Sequence, residues 1–226
     1  MNNIIKSQWL LCKKRILLIV LFIVFVMLSE FFVFSTTEKT SEALPMVALI
    51  AVIIFTAIPT VHLMYSYAER IQMYEIMAGF TPHQIILGKT IVCLPITMIC
   101  LGCFSIMCLC FDSSADMVRR LLLFWVIGIR SVLCIVFFSP LTKKSVLAPL
   151  GSIMLLLVFG QSDLYAVAHS PLALLCCGQC VSLGTEITNA FITKVIVSAV
   201  VSCVIYYLIG YLTLKKKIAL ELHQLT

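Results

Sequence analysis

The sequence predicts an all-α, polytopic membrane protein: six transmembrane helices, an amphipathic helix ahead of them, and both termini on the cytoplasmic side. Three observations predict it. Of 226 residues, 62% are hydrophobic and 12% charged, more apolar surface than a water-soluble domain of this size can hide. The apolar residues gather into separate runs of about 20, the length that crosses a hydrocarbon core, and they do not alternate as barrel strands do. The Lys and Arg between the runs gather on one side. Backbone groups in lipid must be satisfied within their own segment, so the runs are helices. One transmembrane domain then accounts for residues 1–226.

Taken in order, residues 1–15 set Ile4, Ile5, Trp9, Leu10 and Leu11 against Lys6, Lys13, Lys14 and Arg15, the pattern of an interfacial helix. Residues 16–34 are the first span. Its apolar run outlasts a signal-peptide core and no A-x-A site follows, so an uncleaved helix is expected. Residues 35–43 are a short polar loop, and 44–66 the second span, with Pro59 near its end. The most polar stretch of the chain, residues 67–83, comes next. The third span is 84–111, with Pro95 inside it; 112–116 is an acidic turn; the fourth span is 117–138. A basic loop with Lys143 and Lys144 leads to the fifth span, 146–168. A half-apolar connection, 169–189, precedes the sixth span, 190–214, which three lysines close.

Charge orients these spans. With the N-terminus inside, the inner side holds Lys6, Lys13, Lys14, Arg15, Arg70, Lys89, Lys143, Lys144, Lys215, Lys216 and Lys217. The outer side holds Lys39, Arg119, Arg120 and Lys194. The excess inside is the expected bias of a multi-span protein. Because these residues flank spans rather than forming a stripe, a nucleic-acid partner is not expected; the lipid bilayer is.

The polar stretch therefore lies in the cytoplasm. Ile71, Tyr74 and Ala78 fall on one helical face; Glu69, Gln72, Met73 and Ile76 fall on a mixed face. Gly79 is placed to end this helix. Thr81 can cap the next one, and Pro82 suits its first position. The same features suit a solvated loop helix with no partner.

Glu69-Arg70, Glu75, the turn at Gly79, and Leu87-Gly88-Lys89 leading into a span resemble the permease subunits of type-2 ABC exporters, including those that export bacteriocins, lantibiotics or drugs. The resemblance in motif covers about residues 69–89; in layout it covers the chain. One difference is that Ile71-Gln72-Met73-Tyr74 stands where the family usually has Gly-Thr. The resemblance implies a single permease domain in the cell membrane of a bacterium. It implies a cytoplasmic coupling helix at about 67–80 and an outer re-entrant segment at about 169–189. It also implies an ABC ATPase subunit as partner, contacted by Glu69, Arg70, Gln72, Met73 and Glu75, and a homodimer or heterodimer with a second permease. Transport, in the export direction, would be driven by ATP and Mg on the partner, with no cofactor in this chain and no enzyme activity of its own.

Leu87-Gly88-Lys89-Thr90 ends like a phosphate-binding loop, but His83 stands where the first glycine is needed and no strand precedes it. Lys89 is expected to snorkel to the interface. Two charges fall within spans. At about 1.5 Å per residue, Glu30 stands about 21 Å into the first span and Arg130 about 20 Å into the fourth. Their depths then differ by about 10 Å in a core about 30 Å thick, so no direct pair is expected. Glu30 is expected to reach the outer interface. Arg130 lines a pathway, joins helices or stretches to the inner headgroups.

Most of the 11 cysteines fall in spans, where they act as small apolar residues. Cys176, Cys177 and Cys180 fall in the outer connection, and Cys177-Gly178-Gln179-Cys180 has redox-pair spacing. A membrane thiol oxidoreductase is therefore one alternative. The loops at 35–43 and 112–116 supply no second cysteine pair, which weighs against it. A zinc site through His169 lacks the paired ligand spacing, and no catalytic metal is expected. His62, at the inner end of the second span, suggests a small secondary transporter as another alternative, although such histidines are commonly interfacial. The redox alternative makes a separate prediction: Cys177→Ser abolishes activity, and alkylation in membranes shows Cys177 and Cys180 cycling. A pair that stays inert to redox state removes it.

Overall fold

Local backbone chemistry sets the break ahead of the third span. In the computed structural model the described residues are 75–111, 113–138 and 189–225, with Thr60 and positions 5, 6, 9, 10, 13, 16, 17, 20, 21, 24 and 28, all of these last being helical. The expected second and fifth spans, Glu30, residues 67–74 and the outer connection with its cysteines lie outside the described residues, apart from Thr60 and Asn189.

Residues 75–77 are helical, and the helix stops at Gly79. Gly79 adopts φ +76°, a conformation that glycine takes without a Cβ clash. Its N–H donates to the Ile76 carbonyl at 2.9 Å, and the Phe80 N–H donates to the Glu75 carbonyl at 3.3 Å. These two bonds make a Schellman ending. A new helix starts at once. Thr81 accepts from the Gln84 N–H through its hydroxyl (3.3 Å), and the Gln84 side-chain oxygen accepts from the Thr81 N–H (3.0 Å). This reciprocal capping box satisfies two orphan donors, and Pro82 occupies the first helical position, where no N–H is missed.

Helix α1 runs Pro82–Phe111, α2 Ala115–Phe138 and α3 Asn189–Leu225. Ser114 caps α2 by accepting from the Met117 N–H at 3.2 Å. The expected third and fourth spans began at 84 and 117; each helix starts two residues earlier because its capping residue, not its first apolar residue, sets the start. The sixth span was expected to close at 214. Helix α3 continues to Leu225, because Lys, Leu, Ala and Glu are helix formers and no Gly or Pro interrupts them. All three helices are long and apolar enough to cross a membrane, which makes this a membrane protein. Among the described residues there is no strand.

The contacts give the directions. Phe104 meets Phe124 edge-on at 6.2 Å, and the Trp125 indole N–H donates to the Ser105 hydroxyl at 2.8 Å, so α1 and α2 are antiparallel across a short turn. Arg130 meets Ser202, and Phe137 meets Tyr207 at 5.5 Å, so α2 and α3 are parallel. Helix α2 lies between the others. In its apolar window 67% of residues are buried, against 44% for α1 and 33% for α3. The start of α1, the end of α2 and the second half of α3 thus share one end of the bundle, the end assigned to the cytoplasm by charge. An apolar cluster fills it, with Ile85, Ile86, Val92 and Cys93 from α1, Val132, Val136 and Phe137 from α2, and Tyr206 and Leu214 from α3. Ile5 of the N-terminal stretch packs against the same cluster.

Helix α3 meets α2 along an i+4 row: Ser198, Ser202, Tyr206, Gly210 and Leu214 are all buried. Lipid is as apolar as the helices, so association depends on close packing and on bonds between helices rather than on escape from water. Gly210 permits the closest approach. A Cβ there would run into the Phe137 carbonyl oxygen, with the carbonyl carbon at 3.1 Å. Gly210→Val is expected to force α2 and α3 apart and to cost on the order of 1–3 kcal/mol. Thermal unfolding of the detergent-purified protein measures this; an unchanged midpoint contradicts it.

Candidate functional site

Three charged residues are buried among the described residues: Arg130, Lys89 and Glu75. Arg130, on α2, is only 4% exposed. Its Nε donates to the Ser202 hydroxyl at 2.9 Å, and a terminal nitrogen donates to the Tyr206 hydroxyl at 3.3 Å. The guanidinium also lies 5.8 Å from the centre of the Tyr206 ring, within reach of a cation–π attraction. The side chain bonds across to α3 within the bundle, so Arg130 joins helices, and it also lines the cleft between them. Placing such a charge at this depth costs about 3 kcal/mol on insertion scales. Its planar fork offsets part of that cost by serving two acceptors one helical turn apart. Ser202 also donates to the Ala199 carbonyl at 2.9 Å, which fixes its oxygen as the acceptor for Arg130.

Beside Arg130 an apolar cleft of about 440 Å³ opens between α2 and α3. Val126, Ile129 and Leu133 form one wall and Ile196, Val200 and Val204 the other. Such walls suit an acyl chain or another hydrocarbon group and offer little to a polar solute. At the inner end, the His83 ring nitrogen Nδ1 lies 2.6 Å from the Tyr207 hydroxyl, with the two rings edge-to-face at 6.2 Å. Tyr207 in turn stacks with Tyr211. This contact ties the first turn of α1 to α3.

The second buried charge is Lys89, at 3% exposure. The expectation that it snorkels to the interface is overturned. Lys89 lies in the row Ile85, Ile86, Lys89, Val92 and Cys93, which is the packed face of α1, so its stem is enclosed before the ammonium can reach headgroups. It is attracted by Glu75 and repelled by Lys217. Glu75 is buried as well, at 6%. Leu87, Gly88, Lys89 and Thr90 all lie inside α1, and the Thr90 hydroxyl donates back to the Ile86 carbonyl at 2.9 Å. These residues form a helix interior rather than a loop around a phosphate.

Of the residues singled out for a partner contact, the structure describes Glu75 alone; Glu69, Arg70, Gln72 and Met73 lie outside the described residues, as does Glu30. Cys93, Cys100, Cys103, Cys108, Cys110, Cys134 and Cys203 are not joined in disulfides. Among the described residues no group of His, Cys, Asp or Glu is arranged to hold a metal. Sequence reasoning missed Ser202 and Tyr206 as partners of Arg130. The signal was present: Ser198, Ser202, Tyr206 and Gly210 repeat every four residues along the span, the spacing by which small and polar side chains face a neighbouring helix. No family model, no curated protein and no solved structure matches this chain.

The Arg130 contact is testable by a double-mutant cycle. Arg130→Met and Tyr206→Phe are expected to couple by about 0.5–1.5 kcal/mol in thermal unfolding. Arg130→Lys is expected to lose about 1–2 kcal/mol, because one ammonium cannot reproduce the fork. Additive single effects contradict the contact.

Proposed function

We propose that this chain is the membrane-spanning permease subunit of an ATP-driven ABC exporter. In this reading six spans place both termini in the cytoplasm of a bacterial cell, and two permeases, identical or paired with a sibling, enclose the path. A separate ATPase subunit binds ATP and Mg and docks on the cytoplasmic stretch at about 67–80. Closure of the ATPase subunits displaces that stretch, and the second and third spans rock to open the path outward.

The observation that carries the reading is the double break at residues 75–85. A helix ends in a Schellman turn at Gly79, and a capped span begins two residues later at Thr81. With no slack residues between the two motifs, a push on the first helix reaches α1 directly. Further support comes from the bonds of the start of α1 to α3 through His83 and Tyr207, so motion there engages more than one span. Because Glu75 is buried, Glu69 and Arg70 are the better candidates for direct contact with the ATPase, and Glu75 for holding the stretch in place.

The test follows from that division. Glu69→Lys with Arg70→Glu reverses these two charges and leaves Glu75 unchanged. Membrane insertion is expected to stay at the wild-type level, while recovery of the co-expressed ATPase subunit with the purified chain falls about tenfold. Undiminished recovery together with undiminished export sinks the proposal.

A further inference from the structure

The cleft between α2 and α3 runs along the two helices rather than across them. Its lining extends from Val126 to Phe137 on α2 and from Ile196 to Tyr207 on α3. At about 1.5 Å per residue each wall is about 16 Å long, close to half of a hydrocarbon core about 30 Å thick. Tyr207 marks the inner end, where it contacts His83 in the first turn of α1 and Phe137 near the end of α2. From that level the cleft reaches about the depth of one leaflet. Val200 and Val204, on its rim, are more than half exposed, so the slot opens sideways.

The surface of the slot is almost wholly hydrocarbon, although Arg130 and Tyr207 stand in its lining. Arg130 turns two nitrogens to the Ser202 and Tyr206 hydroxyls, and the Tyr207 hydroxyl meets His83. A charged or hydroxylated group gains no partner along such walls and loses its water. Polar chemistry begins past the inner end. Tyr211 stacks on Tyr207, and Lys215 follows one turn later with Lys216 beside it; both lysines are exposed. Lys215 stands about 12 Å beyond Tyr207 along α3, and its long stem can reach back toward the rings. Tyrosine rings at the boundary of an apolar slot, with lysines beyond them, suit the headgroup of a lipid whose chain lies in the slot.

We propose that this cleft and the basic end of α3 bind an anionic phospholipid. One acyl chain lies between α2 and α3, the glycerol region meets Tyr207 and Tyr211, and the phosphate faces Lys215 and Lys216. The hydrocarbon walls select a chain, and the lysines select its charge. The site needs only a bilayer and stands apart from the permease reading.

Photo-cross-linking of the full chain in lipid nanodiscs tests the site. The bilayer is phosphatidylcholine with a small fraction of phosphatidylglycerol that carries a diazirine midway along one chain, and mass spectrometry maps the labelled residues. Labels are expected to gather on Ile129, Leu133 and Val200, above the level at Ile99 and Ile106 on the exposed face of α1. Added unlabelled phosphatidylglycerol is expected to suppress cleft labelling about tenfold more effectively than the same addition of phosphatidylcholine, a preference of the order that two lysines near a headgroup provide. K215Q/K216Q is expected to make the two competitors equal. Cys203→Phe, which fills the slot, is expected to lower cleft labelling to the level of α1; if it fails to accumulate, Val204→Phe on the exposed rim is read in its place. Labels spread evenly over the cleft and α1 overturn the site, as does cleft labelling that the filling variant leaves intact. Competitors of equal strength on the wild-type chain overturn the anionic headgroup, and a preference that survives K215Q/K216Q overturns the part given to the lysines.

Discussion

The bundle depends on a charge that a membrane ordinarily excludes. Arg130 is accommodated because α3 presents Ser202 and Tyr206 at the spacing its guanidinium can reach, one turn apart on a buried row. In hydrocarbon, helices gain nothing by hiding apolar surface from one another, and specificity comes from polar contacts and close backbone approach. Here the two act on the same pair of helices. Gly210 lets the backbones approach beside Phe137, and Arg130 fixes the register two turns away, toward the middle of the bilayer. Because α2 lies between α1 and α3, fixing α2 against α3 also sets where α1 can pack.

The inner end is built differently. There the structure concentrates aromatic rings and an apolar cluster around the point where a short helix gives way to a span. A Schellman ending followed at once by a capping box is stiff, since both motifs spend their hydrogen bonds on local backbone. The outer end of α1 and α2, by contrast, closes in a short turn whose ion pair, Arg119 with Asp116 at 3.8 Å, is exposed on both sides and contributes little. The bundle is thus pinned within the span and at one end.

Much of this was legible in the chain. Gly79, Thr81 and Pro82 announced the break, because turn and cap chemistry is local and each residue's role follows from its own backbone. The all-helical class followed from composition and run length, which lipid constrains severely. Charges were less legible. Lys89 beside a span end reads as interfacial until its helical face is known. Glu75 reads as a surface residue of a polar stretch until Ile76 and Phe80 are seen to turn that end inward. The run-on of α3 past its three lysines was hidden for a related reason: the end of a hydrophobic stretch marks where the membrane stops, not where the helix does.

The sequence by itself determined that this is a membrane protein of helices, and where helices must stop and restart, because those are properties of single segments in a known solvent. Only the tertiary structure decided what Arg130 and Lys89 do. A buried charge takes its meaning from the atoms that surround it. For Arg130 these are the Ser202 and Tyr206 hydroxyls on another helix, more than 70 residues away, and for Lys89 the packed face of α1 that encloses its stem.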